Sequence, residues 1–147
     1  MPRILFRRLL ATGLLFLATA AAADAPALTI ADGWLRATPT GASVGGGYAR
    51  FLNAGDRALA IVGVESPVAA SAELHSMRHV DGMMQMRHLE RLEVPAHGSA
   101  ALAAGGDHLM LFGLRAPLVA GQWVPITLVL DDGRRLATGF IVRDAER

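Results

Sequence analysis

The sequence predicts an all-β domain, an antiparallel sandwich or barrel, and three observations carry that expectation. Short apolar runs follow one another along the chain, separated by Gly, Pro and Asp. No stretch keeps a 3.6-residue apolar period long enough for a substantial helix, although Val68–Ala72 has room for one turn. Asp132-Gly133 lies between two apolar runs, which is the strongest local hairpin signal in the chain. There are no heptads, internal repeats or charged low-complexity tails.

The first residues stand apart from this pattern. Arg3, Arg7 and Arg8 make a basic start, and an apolar run follows from Leu9 to Ala23. The run is too short to span a membrane as a helix and ends in small residues. Ala21-Ala22-Ala23 offers a cleavage site before Asp24, and Ala18-Thr19-Ala20 offers a second. Residues 1–23 therefore read as a cleaved secretory signal peptide, and 24–147 as a single domain. No cysteine follows the run, so a lipid-anchored N-terminus is not expected. Export to the periplasm is the expectation for a Gram-negative source.

The strands follow in order. Apolar runs mark Leu28–Ala37, Gly46–Asn53, Ala58–Ser66, Ala72–His79 and Met84–Leu89, then Arg91–Val94, Ser99–Leu102, His108–Leu114, Trp123–Leu130 and Arg135–Val142. Between them lie Pro39–Gly45, Ala54-Gly55-Asp56, Pro67, Asp81-Gly82, Pro95–Gly98, Gly105-Gly106, Pro117–Gly121 and Asp131-Asp132-Gly133. Each separator holds residues suited to a turn. Pro125 cannot donate to a ladder, so its strand is expected at an edge or to carry a bulge.

Charge and composition exclude several functions. Without residues 1–23 the chain keeps eleven Arg against thirteen acidic residues, a formal charge of −2, and it has no Lys. No basic stripe suggests nucleic acid or an anionic membrane surface. The chain has no cysteine, so it has no disulfide, thiolate nucleophile, iron–sulfur cluster, Cys-based zinc site or blue-copper site.

Histidine and methionine are crowded together instead. Apart from the initiator, all five His and the remaining Met fall between His75 and Met110, about a quarter of the chain. In a strand, residues i and i+2 share a face. His108 and Met110 therefore face one way, with Leu109 and Leu111 on the core side. His75-Ser76-Met77 repeats that spacing, and Asp81-Gly82 returns the chain through Met83, Met84 and Met86. Imidazole plus thioether is a soft, uncharged donor set that suits copper(I) better than hard oxygen-seeking ions. Met83 and Met84 also suit packing. His79 and His88 read as peripheral, and His97 as a solvated turn residue.

The spacing of His75, ten residues, Met86, twenty-one residues, His108, one residue and Met110 resembles that of the periplasmic copper chaperones of the PCu(A)C family. Trp34-Leu35-Arg36-Ala37-Thr38-Pro39, Gly45-Gly46-Gly47-Tyr48 with Asn53, Ala72-Glu73-Leu74-His75 and Gly106-Asp107-His108-Leu109-Met110 carry the resemblance across nearly the whole mature chain. It implies a cupredoxin-like Greek-key antiparallel β-sandwich with one copper(I) near the surface, held by His75, Met86, His108 and Met110. Met77 and Met84 are candidate auxiliary thioethers. Glu73 and Asp107 are candidates to orient an imidazole, against the plainer reading of solvated carboxylates. The resemblance further implies copper delivery toward the copper A type centre of cytochrome oxidase. The acceptor would be an oxidase subunit or a Sco-type thiol protein. The closing Ile141–Arg147 carries no His or Met, so it does not match the His- and Met-rich extension of some members.

The expected function is thus a monomeric copper carrier and not an enzyme. A copper buffer or resistance protein would use the same ligands. A metalloenzyme would need a signature such as His-Glu-x-x-His, and none is present. A structural sandwich that binds no metal is the remaining alternative.

Overall fold

A computed structural model describes residues 27–144; the expected signal peptide lies outside them. These residues form ten strands and no helix. The strands are β1 (Leu28–Arg36), β2 (Val44–Asn53), β3 (Leu59–Glu65), β4 (Ser71–Val80), β5 (Met83–His88), β6 (Leu92–Val94), β7 (Ser99–Leu102), β8 (His108–Phe112), β9 (Trp123–Leu130) and β10 (Arg135–Arg143). Each corresponds to a strand expected from the sequence. The single helical turn considered at Val68–Ala72 does not form: Pro67-Val68 is a turn, and Ser71 already belongs to β4. The Ala70 N–H donates to the carbonyls of Phe112 and Gly113, which ties this corner to β8.

The ladder runs β5-β4-β8-β2-β1-β10-β9-β3-β6, with β7 beside β2. A pairing of Val64 with Ala72 joins β3 to β4 and closes the circuit. All pairings are antiparallel except β1 with β10, which run parallel. Closure gathers one apolar face of each strand inward. Leu35, Phe51, Ile61, Leu74, Leu109, Leu111, Ile126, Leu128, Phe140 and Val142 lie there essentially without exposure. Burial of such side chains contributes on the order of 1.5–3 kcal/mol each before entropy is counted, and it fixes which face each strand turns outward.

Pro125 departs from expectation. β9 is interior, between β10 and β3, and its register with β10 is unbroken at the Pro125–Gly139 pair. The β3–β9 ladder, however, ends at Glu65 opposite Thr127. Just beyond that end the Ser66 hydroxyl donates to the Pro125 carbonyl at 2.7 Å. The proline's missing N–H therefore falls where no β3 carbonyl needs it.

Two hairpins match the sequence closely. Gly133, at φ 84°, closes β9 to β10, with its N–H donating to the Leu130 carbonyl. Asp81 and Gly82, at φ 50° and 80°, join Val80 directly to Met83. Positive φ at both central residues is the twist-matched two-residue hairpin turn. Asn53 is buried and holds the β2–β3 corner: its amide donates to the Arg57 and Val94 carbonyls, and its side-chain oxygen accepts from the Gly55 N–H.

Candidate metal centre

β4 is the central strand of the site, flanked by β5 on one side and β8 on the other. Its inward residues Leu74 and Ser76 are buried, so Glu73, His75, Met77 and His79 share the outward face. Directly opposite residues in an antiparallel pair share a face. On β8, His108 lies opposite His75 and Met110 opposite Glu73. On β5, His88 lies opposite His75, Met86 opposite Met77 and Met84 opposite His79. All four expected ligands are therefore on one surface. On the far side of Met110 the partner is Gly46, which has no side chain to set against the thioether.

The two expected histidines are held differently. The turn before β8 is closed by the Ala103 N–H donating to the Asp107 carbonyl and the Gly106 N–H donating to the Ala103 carbonyl. It aims the Gly106 carbonyl at His108, whose Nδ1–H donates to it at 2.9 Å. The lone pair of His108 is therefore on Nε2. His75 lies among three rings, with centroids 6.1 Å from His108, 5.8 Å from His88 and 5.7 Å from Phe112. Its Nε2 is 2.9 Å from Glu73 Oε2. An ionised carboxylate only accepts, so the proton is on Nε2 and the lone pair on Nδ1. That Nδ1 is buried without a hydrogen-bond partner. Buried polar atoms are rarely left so, and a sealed lone pair beside a second imidazole is a donor free to take a metal ion. With nitrogen–metal bonds of about 2.0 Å, two imidazoles sharing an ion have ring centroids about 5–6 Å apart, which fits the His75–His108 separation.

Glu73 contacts more than one ring. Its Oε2 is also 3.5 Å from His88 Nδ1. The hydrogen bond from His75 holds the Glu73 carboxyl below its ordinary pKa, and the two imidazoles add a smaller electrostatic effect in the same direction. One donor atom each from Glu73, His75 and His88 lies within 4.8 Å of the others, so these three could also hold a metal ion. His88, read from sequence as peripheral, is thus part of the cluster. Counting outward from the Asp81-Gly82 turn already pairs 80 with 83 and 75 with 88, and that count was the signal for it.

Asp107 sits apart from the imidazoles. Its carboxylate lies 3.8 Å from the Arg78 guanidinium, while the Gly106 carbonyl occupies the place beside His108 Nδ1. Arg78 also donates to Ser76 Oγ. His97 forms a distant exposed pair with Asp56. Met83, Met84 and Met86 are all exposed, so none of them fills the core. Met86 and Met110 lie on opposite diagonals from His75. For Met86 to join Met110 around one ion, the β4–β5 ribbon must coil over β8; two-stranded ribbons twist more than wide sheets.

Comparison with known proteins agrees with this architecture. A family model described as "Putative lipoprotein LpqE-like" matches residues 28–142. A relative named "Putative lipoprotein Lxx21020", from Leifsonia xyli subsp. xyli, is 32% identical over 122 residues, spanning 82% of this chain and 72% of the relative. The solution structure of the copper(I) form of DR1885 from Deinococcus radiodurans is similar at 34% identity and a TM-score of 0.65, over 84% of this chain and 83% of that one. The copper-bound PCuAC domain from PmoF2 shares the fold at 22% identity and a TM-score of 0.67, over 81% and 94% of the two chains. The fold is that of the PCuAC domains, and the chain belongs to the LpqE-like family.

Proposed function

We propose that this protein binds copper(I) through His75, His108, Met110 and Met86 and carries it as cargo. The observation that carries this reading is the sealed, unpartnered Nδ1 of His75 beside His108, whose own proton is tied to Gly106. Two lone pairs are thus presented at ring positions that packing already holds. The thioethers need no deprotonation and suit a soft monovalent ion, whereas a zinc site would ordinarily use more His, Cys or carboxylate. The similarity to the copper(I) form of DR1885 supports the choice of ion.

Glu73, by accepting from His75 Nε2, fixes the tautomer that leaves Nδ1 as donor. Met77 and Met84 lie on the same face and serve as auxiliary thioethers during exchange. The carrier works in the periplasm, exported by residues 1–23. Its relatives are named lipoproteins, which supports export; the 147 residues here hold no cysteine to acylate. Delivery is by ligand exchange, with no free ion. A thiolate-bearing acceptor, a Sco-type protein or a cytochrome oxidase subunit, outcompetes thioether for copper(I). The role is transport, not catalysis.

The test is anaerobic titration with copper(I) against a calibrated chelator. One equivalent bound tightly by the wild type, and weakened at least tenfold in His108→Ala and in Met86→Leu with the β-sheet circular dichroism intact, is the expected result. Unchanged affinity in either variant removes that residue from the site. X-ray absorption lacking sulfur scatterers would overturn thioether ligation.

A further inference from the structure

The β4–β8 pairing ends at His75 opposite His108, so beyond His75 the neighbour of β4 along the outward path is β5 alone. Residues 76–88 form a two-stranded ribbon at the edge of the sheet. Three cross-strand pairs follow one another along its outward face toward the turn: His75 with His88, Met77 with Met86, and His79 with Met84. The two positive-φ residues of the turn lock this register, so the His79–Met84 pairing is built into the hairpin. Met84 is 49% exposed and His79 is exposed, so neither serves the core.

Side chains in directly opposite positions have Cβ atoms about 4.5–5.5 Å apart. From there an imidazole nitrogen and a thioether sulfur can close on one ion with bonds of about 2.0–2.3 Å. Successive pairs are about 7 Å apart along the strand, a step that methionine, with three rotatable bonds, can bridge. Two donors alone hold an ion weakly and leave coordination positions open for incoming ligands.

We propose that His79 and Met84 form an outer exchange site for a soft monovalent ion, copper(I), through which the ion enters and leaves the inner ligands by way of Met77, with Met86 the first inner ligand it reaches. The proposal rests on the copper(I) reading above. Met83 supplies the internal control. It lies opposite Val80, on the other face of the same ribbon, and is more exposed than Met84.

The experiment uses the full chain loaded anaerobically with one equivalent of copper(I). Equilibrium affinity is measured by chelator competition, and the rate of transfer to excess bathocuproine disulfonate by stopped flow. The variants are Met83→Leu and the double variant His79→Ala with Met84→Leu. The double variant is expected to keep its affinity within threefold and to transfer at least tenfold more slowly, while Met83→Leu transfers at the wild-type rate. A second equivalent of silver(I), a redox-inert stand-in, is expected to shift the Met84 methyl resonance and the His79 ring signals. Undiminished transfer in the double variant, equal slowing by Met83→Leu, or unmoved Met84 and His79 signals would each overturn the exchange site alone. Absence of copper(I) binding by the wild type would overturn the functional reading beneath it as well.

Discussion

Replacing Glu73 with Gln removes a charge while keeping the length of the side chain, and it asks how the His75 donor is set. In the wild type the carboxylate can only accept, so the His75 proton stays on Nε2 and Nδ1 keeps its lone pair. A glutamine amide can turn its NH₂ toward Nε2 instead. The ring proton then moves to Nδ1, the atom proposed to meet copper. Loss of such an outer partner lowers metal affinity by roughly 10- to 100-fold. The Glu73 side chain is 38% exposed, so water replaces part of what is lost and the lower end, about tenfold, is expected. The assay is chelator competition at neutral pH, with His97→Ala as a control because His97 pairs only with the distant Asp56. The pH dependence has a definite sign. The His75 bond depresses the folded pKa of Glu73, so the stability this pairing contributes is present above the unfolded carboxyl value and is lost as pH falls through the depressed one. Affinity within twofold of wild type in Glu73→Gln, or an equal loss in His97→Ala, would refute the tautomer argument.

Three further outcomes follow from burial. Met86→Leu changes a half-exposed residue on an edge strand, so its folding stability stays within about 0.5 kcal/mol of wild type in denaturant melts, while copper(I) binding weakens as stated above. Leu109→Ala empties a site under His108 that is 1% exposed; a loss of about 2–5 kcal/mol is expected from the same melts, and copper binding falls only as the fold does. Asn53→Ala removes three hydrogen bonds and leaves the Val94 carbonyl without its side-chain partner. At about 1 kcal/mol per bond, the expected loss is about 2–4 kcal/mol, with copper affinity of the folded protein unchanged.

What the sequence made legible was mostly local. Asp81-Gly82 and Asp132-Gly133 are turns whose chemistry is contained in two residues, and the strands on either side of them formed as read. The shared face of His75, Met77, His108 and Met110 follows from two-residue periodicity once Leu74, Leu109 and Leu111 are recognised as core. The features that escaped depend on partners distant in the chain. The parallel seam of β1 with β10 leaves no local mark. Pro125 looked like an edge or bulge because nothing nearby says that β3 stops at Glu65 and that Ser66 meets the proline carbonyl. Asp107 is adjacent to a proposed ligand in sequence, yet Arg78, nearly thirty positions earlier, takes its carboxylate. His88 is a different case. Its place beside Glu73 was contained in the hairpin count, and its position in an apparently peripheral segment concealed it.

If the proposed ligands are right, the arrangement lets one strand hold an ion firmly and still release it. Up to His75, β4 is flanked on both sides, and its inward Leu74 is locked into the core with Leu109 and Leu111. The backbone under His75, His108 and Met110 cannot shift without disturbing that packing, so these donors are preorganised. Beyond His75 the chain runs on as a two-stranded ribbon, and such ribbons are marginal by themselves. The thioether of Met86 belongs to that half. On the proposed reading, three of the four ligands sit on the packed half and the fourth, Met86, sits on the half that opens to an incoming ligand. The division falls at His75, the last residue of β4 paired with β8. It needs no cysteine: thiolates would hold copper(I) more strongly, and in an oxidising compartment they would also be open to disulfide formation.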